Sequence, residues 1–193
     1  VLGKTVTTEF AAFTPGKTAN PRSPTHTPGG SSSGSAAAVA DGMVPLAFGT
    51  QTAGSVIRPG AFCGCVAYKP SFGLINRAGV KPLADSLDTV GVFARSIEDA
   101  AFFAGVVAER PALRRLAAPQ MTPHFGLYRT PMWDQAEPAT AAALDMARSA
   151  LERAGASVTE LAIAPEHHGL SETQNTIMQF EMVRALAYER IER

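Results

Sequence analysis

Two glycine-rich turns carry serines that could act as nucleophiles: Gly29-Gly30-Ser31-Ser32 and Thr52-Ala53-Gly54-Ser55. An unassisted serine hydroxyl is a weak nucleophile and needs a base within hydrogen-bond reach. Each turn leads into a segment with helical character. The backbone N–H groups that open a helix have no intrahelical acceptor and can point at an anion. The second turn could thus hold both a nucleophile and an oxyanion hole. Glycine-serine turns are also ordinary helix caps, so on the residues alone both readings stand.

Other candidates carry less chemistry. A phosphate-binding loop needs G-x-x-x-x-G-K-[ST]. Gly16-Lys17-Thr18 has its tail, but Ala11 occupies the first glycine position, and the loop over 29–35 has no lysine. Cys63 and Cys65 are separated only by Gly64, too close for an unstrained disulfide and too few for a zinc site. They read as small buried apolar groups. His167-His168 lacks partner ligands and reads as surface, Trp133 as packing, and Asp88 and Asp99 as turn and cap residues. No metal and no cofactor is expected.

The elements that must position the serines follow from pattern. The 193 residues carry 17 Lys+Arg against 17 Asp+Glu, so a zero net charge gives no reason to seek nucleic acid or an anionic membrane. At 46% hydrophobic the chain can build a core, and it holds no apolar run long enough to span a bilayer. It starts at Val1 without a basic-then-apolar leader, so it is expected to begin inside a longer protein or to be processed. Val1-Leu2-Gly3 reads as the end of a strand and Thr14–Pro28 as coil. The run Ser33 to Met43, rich in Ser and Ala, predicts a small-residue helix in the centre of a domain, with the serines as N-caps.

Further along, strands are expected over 44–50, 66–68, 90–94, 125–128 and 158–163. Helices are expected over 55–62, 97–108, 138–154 and 171–192, with loop over 70–90 and a connector over 109–123. Ser96-Ile97-Glu98-Asp99 resembles a capping box, and Gly155 closes the helix from Pro138. That helix carries Leu144, Ala147, Leu151 and Ala154 as one apolar stripe. Strands alternating with helices predict an α/β fold, a sheet covered by helices on both faces.

Gly29-Gly-Ser-Ser-Ser-Gly-Ser-Ala-Ala-Ala-Val-Ala40, Leu46-Ala-Phe-Gly-Thr-Gln-Thr-Ala-Gly-Ser-Val-Ile-Arg-Pro59, Ala61-Phe-Cys-Gly64 and Tyr68-Lys-Pro70, in this order, resemble the amidase signature family. Gly3-Lys-Thr5, Glu9-Phe-Ala11 and Ser86-Leu-Asp-Thr-Val-Gly91 fit as well. The resemblance is dense from residue 1 to about 108 and diffuse beyond. It implies a single, incomplete amidase domain, with 1–108 as catalytic core and 109–193 as a peripheral α/β extension. The expected fold is a fragment of the amidase signature fold with a mixed β-sheet core.

The resemblance implies an amide hydrolase using a Ser–cis-Ser–Lys triad. Carried over, Ser55 is the acyl-accepting nucleophile and Ser31 the bridging serine, after a Gly30–Ser31 bond that is cis in the family. The N–H groups of Thr52, Ala53, Gly54 and Ser55 would form the oxyanion hole. The family's lysine lies several dozen residues before the bridging serine. Lys4 and Lys17 match no such position, so the lysine is expected upstream of Val1 and this chain is expected to be inactive alone.

Three departures stand out. Gln51 takes a place where Asp is common, and Ala53 one where Gly is usual, which demands a negative φ or adds strain. Arg58 follows Ser55 by three residues rather than two. That spacing resembles malonamidase-like members and implies that Arg58 meets a substrate carboxylate, which its planar fork suits; a structural Arg58 is the alternative. The implied substrate is a small-molecule amide, in the cytoplasm, with no direct nucleic-acid or membrane partner and a homodimer left open. Two alternatives are the amidase subunit of a tRNA-dependent amidotransferase and a catalytically inert fragment or scaffold.

Overall fold

The computed structural model describes residues 1–11, 14–117 and 121–192. The chain divides into two compact units, one of Val1–Leu116 with Asn175–Arg193 and one of Ala117–Gln174. The first unit is built on β3 (Thr89–Ala94), flanked by β1 (Leu46–Gln51) and β2 (Val66–Tyr68) in an antiparallel sheet of order β1-β3-β2. Gln51 pairs with Thr89, and Leu46 and Val66 both pair with Ala94 from opposite sides. All six residues of β3 are buried.

Strand alternation splits these side chains between two cores. Phe93 packs with Ala36, Ala37 and Val39 of α1 (Ser33–Ala40), and with Val56 and Cys63 at the ends of α2 (Ile57–Cys63). Val90, Val92 and Ala94 pack with Ile75 and with Ala100 and Ala104 of α3 (Ile97–Val107). Helices on both faces were expected of the sheet, and this unit has them. Its strands, however, are joined as an antiparallel set, with loop across 70–88.

The small side chains of α1 explain its central place. Ser33, Gly34, Ser35, Ala36, Ala37 and Val39 are all buried. A Cβ on Gly34 would lie 2.5 Å from the Val6 backbone nitrogen, so the segment at 5–8 can run against this helix only because residue 34 has none. The helix stops at Ala40 rather than 43, since Gly42 takes φ +79°. Val1–Gly3 forms no strand; instead the following residues bond to the 31–34 segment, with Gly34 N–H donating to the Val6 carbonyl at 2.8 Å. Ser96 does cap α3, its Oγ accepting from Asp99 N–H at 3.1 Å.

In the second unit β4 (His124–Tyr128) runs parallel to β5 (Ser157–Leu161), joined through α4 (Pro138–Arg153). Gly155 follows that helix with φ +87°, the left-handed turn expected of it. The half-buried stripe on α4 is Ala141, Leu144, Arg148 and Leu151, with Ala147 and Ala154 exposed. Arg148 replaces Ala147 there because its guanidinium pairs with Glu160 of β5 at 3.1 Å.

The expected helix over 171–192 is two helices, α5 (Leu170–Ala185) and α6 (Ala187–Ile191), interrupted at Leu186 with ψ 21°. Glu181 of α5 accepts from the Ser86 hydroxyl at 2.6 Å and from its N–H at 2.9 Å. Glu189 of α6 pairs with Lys81. These two carboxylates tie both helices to the loop after β2.

Candidate active site

The first glycine-serine turn is held by its neighbours' backbone and hydroxyls. Gly30–Ser31 is a cis peptide bond. The Ser31 carbonyl accepts from Ser33 N–H at 2.8 Å, Thr7 Oγ1 at 2.9 Å and Thr8 N–H at 3.0 Å. Ser32 was expected to cap α1, but its hydroxyl goes elsewhere. It donates to the Thr50 carbonyl at 3.2 Å and accepts from Thr50 N–H at 3.1 Å, pinning the turn to β1. Gly29 has φ +75°, and a Cβ there would sit 3.0 Å from the Pro59 Cα, so the approach to α2 requires glycine twice over.

The second turn is held by two side chains from outside it. Gln51 Oε1 accepts from the N–H groups of Val56 at 2.9 Å and Ile57 at 3.0 Å, while its Nε2 donates to the Ala53 carbonyl at 2.8 Å. Asp88 Oδ1 accepts the Thr52 hydroxyl at 2.6 Å. Its Oδ2 accepts from the N–H groups of Leu83 at 2.7 Å and Ala84 at 3.0 Å, with Arg77 3.7 Å away. Asp88 is therefore a turn residue, as expected, and a strut under the second serine turn, which its sequence position did not suggest. Ala53 is not among the residues with positive φ, so its Cβ adds no left-handed strain.

These ties leave a conspicuous remainder. The N–H groups of Thr52, Ala53, Gly54 and Ser55 have no acceptor among the described residues, whereas those of Val56 and Ile57 are both taken by Gln51. Ser31 and Ser55 line one cavity of about 300 Å³ together with Gly29, Gly30, Thr52, Ala53 and Arg58. Neither serine hydroxyl has a hydrogen-bond partner among the described residues, and no hydrogen bond joins the two. The serine segments are linked instead through Ser32 N–H, which donates to the Ser55 carbonyl at 3.3 Å.

Arg58 is the only charged residue among the described lining residues, and no carboxylate pairs with it there. Its guanidinium lies over Gly54, where an added Cβ would come within 2.8 Å of it. Asn175 and Met178 of α5 complete the wall. Lys4 and Lys17 do not line the cavity. Lys81 borders a smaller neighbouring cavity that Ser31 also touches, but its ammonium is engaged by Glu189.

The remaining sequence candidates take structural places. Cys63 is buried and Cys65 half-buried, both free, and burial together with Cys63 pushes the Cys65 thiol up to about 11. His167 hydrogen-bonds the Tyr128 hydroxyl at 2.9 Å, and His168 is exposed. Trp133 takes the Arg129 guanidinium over its ring at 5.4 Å. Among the described residues no cluster of His, Cys, Asp and Glu could hold a metal ion.

Comparison with known proteins agrees in sequence and in fold. The profile of a family described as Amidase matches residues 1–191. A glutamyl-tRNA(Gln) amidotransferase subunit from Symbiobacterium thermophilum is 35% identical over 211 residues, covering 95% of this chain and 43% of that protein. The native peptide amidase of Stenotrophomonas maltophilia superposes with TM-score 0.76 at 31% identity, over 98% of this chain and 45% of that one. The corresponding glutamyl-tRNA(Gln) amidotransferase subunit from Thermotoga maritima superposes with TM-score 0.79 at 32% identity, over 94% and 44%. The chain thus spans less than half the length of these relatives.

Proposed function

The chain belongs to the amidase family, and we propose that the protein it forms part of cleaves a C–N amide bond through an acyl-enzyme on Ser55. The observation that carries this reading is the run of N–H groups from Thr52 to Ser55 that have no acceptor among the described residues, next to two serine hydroxyls without a partner among them that line one cavity. Ser55 Oγ attacks the amide carbon while its proton passes through Ser31 toward a base. The carbonyl oxygen becomes an oxyanion that the free N–H groups stabilise, each worth about 3 kcal/mol. The intermediate collapses, the C–N bond breaks, and the nitrogen leaves with a proton as ammonia or amine. Water then attacks the ester carbon and frees the carboxylic acid and Ser55.

The base in this reading is a lysine upstream of Val1. No lysine is among the described residues that line the cavity, which fits that assignment. The isolated 193-residue chain is expected to release no ammonia from an amide. Turnover by this chain that Ser55→Ala abolishes would overturn the assignment.

Arg58 gives the substrate its second handle. A lone guanidinium in the cavity suits a small amide that also carries a carboxylate, since the planar fork can form two parallel bonds. Arg58→Lys in the full-length enzyme should lower kcat/KM for a carboxylate-bearing amide by about 1.5–3 kcal/mol and leave its neutral counterpart nearly unaffected. Equal losses on both, with a lowered Tm, would make Arg58 structural.

A second reading has its own support, the identity to an amidotransferase subunit over 95% of this chain. In that case released ammonia passes to a partner protein. Ammonia release measured with and without candidate partner subunits and charged tRNA separates the two. Free hydrolysis at full rate without partners favours the hydrolase. No helix among the described residues is long and apolar enough to cross a membrane. The cytoplasm is the compartment proposed, checked by cell fractionation.

A further inference from the structure

Asn20 is buried in a loop where Ala19 and Arg22 are exposed, and its carboxamide is spent on three backbone groups. Its Oδ1 accepts from the Arg22 N–H at 2.9 Å, closing a local turn. Its Nδ2 donates to the Thr27 carbonyl at 3.1 Å and to the Phe62 carbonyl at 2.9 Å. Two carbonyls require donors and one N–H requires an acceptor, so the partners themselves fix which end of the amide is nitrogen. Those carbonyls stand on opposite sides of the candidate site. Thr27 lies just before the Ser31 turn, Phe62 lies at the end of the helix that follows Ser55, and both residues line the cavity. The last carbonyls of a helix have no intrahelical donor. Here Phe62 receives one from Asn20, and Cys63 one from Arg22 Nε at 3.4 Å. The buried Cys63 thiol in return donates to the Pro28 carbonyl at 3.4 Å.

We propose that Asn20 is a positioning residue whose two amide protons tie the segment entering the Ser31 turn to the end of α2, holding Ser31 where it can take the proton of Ser55. This rests on the acyl-enzyme reading above and adds to it a residue outside both serine turns. Asn20 does not line the cavity, so it acts through Thr27 and Phe62, which do. Only Pro28, Gly29 and Gly30 separate Thr27 from Ser31, and Gly29 is already packed so closely on Pro59 that a Cβ would not fit freely. A shift of the Thr27 carbonyl therefore reaches Ser31 along a short path. Aspartate separates this tie from the local turn. It has nearly the shape of asparagine and keeps an oxygen for the Arg22 N–H. It offers no proton when ionised and a single one when neutral, so in either state a carbonyl of the pair loses its donor.

The test uses the full-length enzyme and p-nitrophenyl acetate as acyl donor, with kcat/KM compared for wild type, Asn20→Asp, Ser31→Ala, the double variant and Ser55→Ala. Asn20→Asp should lower kcat/KM by about 10–100-fold, the cost of a misplaced reacting group. In the Ser31→Ala background the same substitution should cost no more than about 3-fold, because the group it positions is gone and residues that act through one another are not additive. Equal losses in the two backgrounds would make Asn20 a purely structural residue and overturn the proposal. So would wild-type kcat/KM in Asn20→Asp, which would leave the turn at Arg22 as the only role of the side chain. Should Asn20→Asp not fold, Asn20→Ser decides by the same comparison, since its single hydroxyl can accept from the Arg22 N–H but cannot supply both carbonyls. If Ser55→Ala matches wild type, the acyl-enzyme reading itself has failed, a result separate from any Asn20 outcome.

Discussion

The two glycine-serine turns look alike in sequence and are built on different chemistry. The turn at 29–33 is held by uncharged neighbours: three donors on the Ser31 carbonyl, and the Ser32 hydroxyl locked to Thr50. The turn at 52–55 is held by side chains from outside it, an amide that donates as well as accepts and a carboxylate that takes three donors. The first arrangement fixes a backbone shape. The second also leaves a set of N–H groups with no acceptor among the described residues. On the proposed reading the first turn bridges and the second stabilises charge.

The largest effect expected from this contrast lies at the serines themselves. In the full-length enzyme Ser55→Ala should lower kcat by about 10⁴-fold or more, since the covalent route is lost. Ser31→Ala should cost less, about 10²–10³-fold, because it removes only a proton relay. Steady-state kinetics on one amide checks the order. A larger loss at Ser31 than at Ser55 would break the division of roles.

Asp88→Asn comes next. Its carboxylate serves a hydroxyl and two N–H groups, and an amide presents one oxygen where two now accept. Denaturant unfolding should show a loss of about 1.5–3 kcal/mol, the cost of a charge-assisted bond and an unsatisfied donor. The kcat should fall with it, because Thr52 leads the candidate oxyanion turn. Stability lost at unchanged kcat would detach Asp88 from the turn.

The smallest effect concerns the loop that carries Asp88. Bonds from the Ser86 hydroxyl and N–H hold the half-buried Glu181 carboxyl below its usual range. A depressed folded-state value means that the contribution to stability is complete above the unfolded-state value and is lost as pH falls through the lower, folded one. Wild-type Tm should therefore drop more than that of Glu181→Gln on acidification below about pH 4. Parallel Tm profiles would show that this tie contributes nothing.

Much of the candidate site was legible because its information is local. Ser31, Ser55 and the candidate oxyanion turn lie within short glycine-rich runs, and the small-residue helix behind them follows from composition. What was not legible comes from far along the chain. Asp88 meets Thr52 across 36 residues, and nothing near Asp88 distinguishes it from an ordinary turn aspartate. Gln51 stood out as a departure, but its bond to the Ala53 carbonyl appears only once the turn is placed beside it. The Asn175 and Met178 wall is invisible to pattern because helical periodicity does not tell which surface a helix covers. The same limit explains α4, where a stripe read through Ala147 runs through Arg148, whose charge finds a partner on β5.

The account turns on Ser55 becoming acylated. The direct measurement is to quench the full-length enzyme during turnover of a slowly deacylating ester and map the adduct by peptide mass spectrometry. The account predicts an acyl group on Ser55 that disappears as product forms. An adduct on Ser31, or turnover at full rate with no adduct at all, would contradict it.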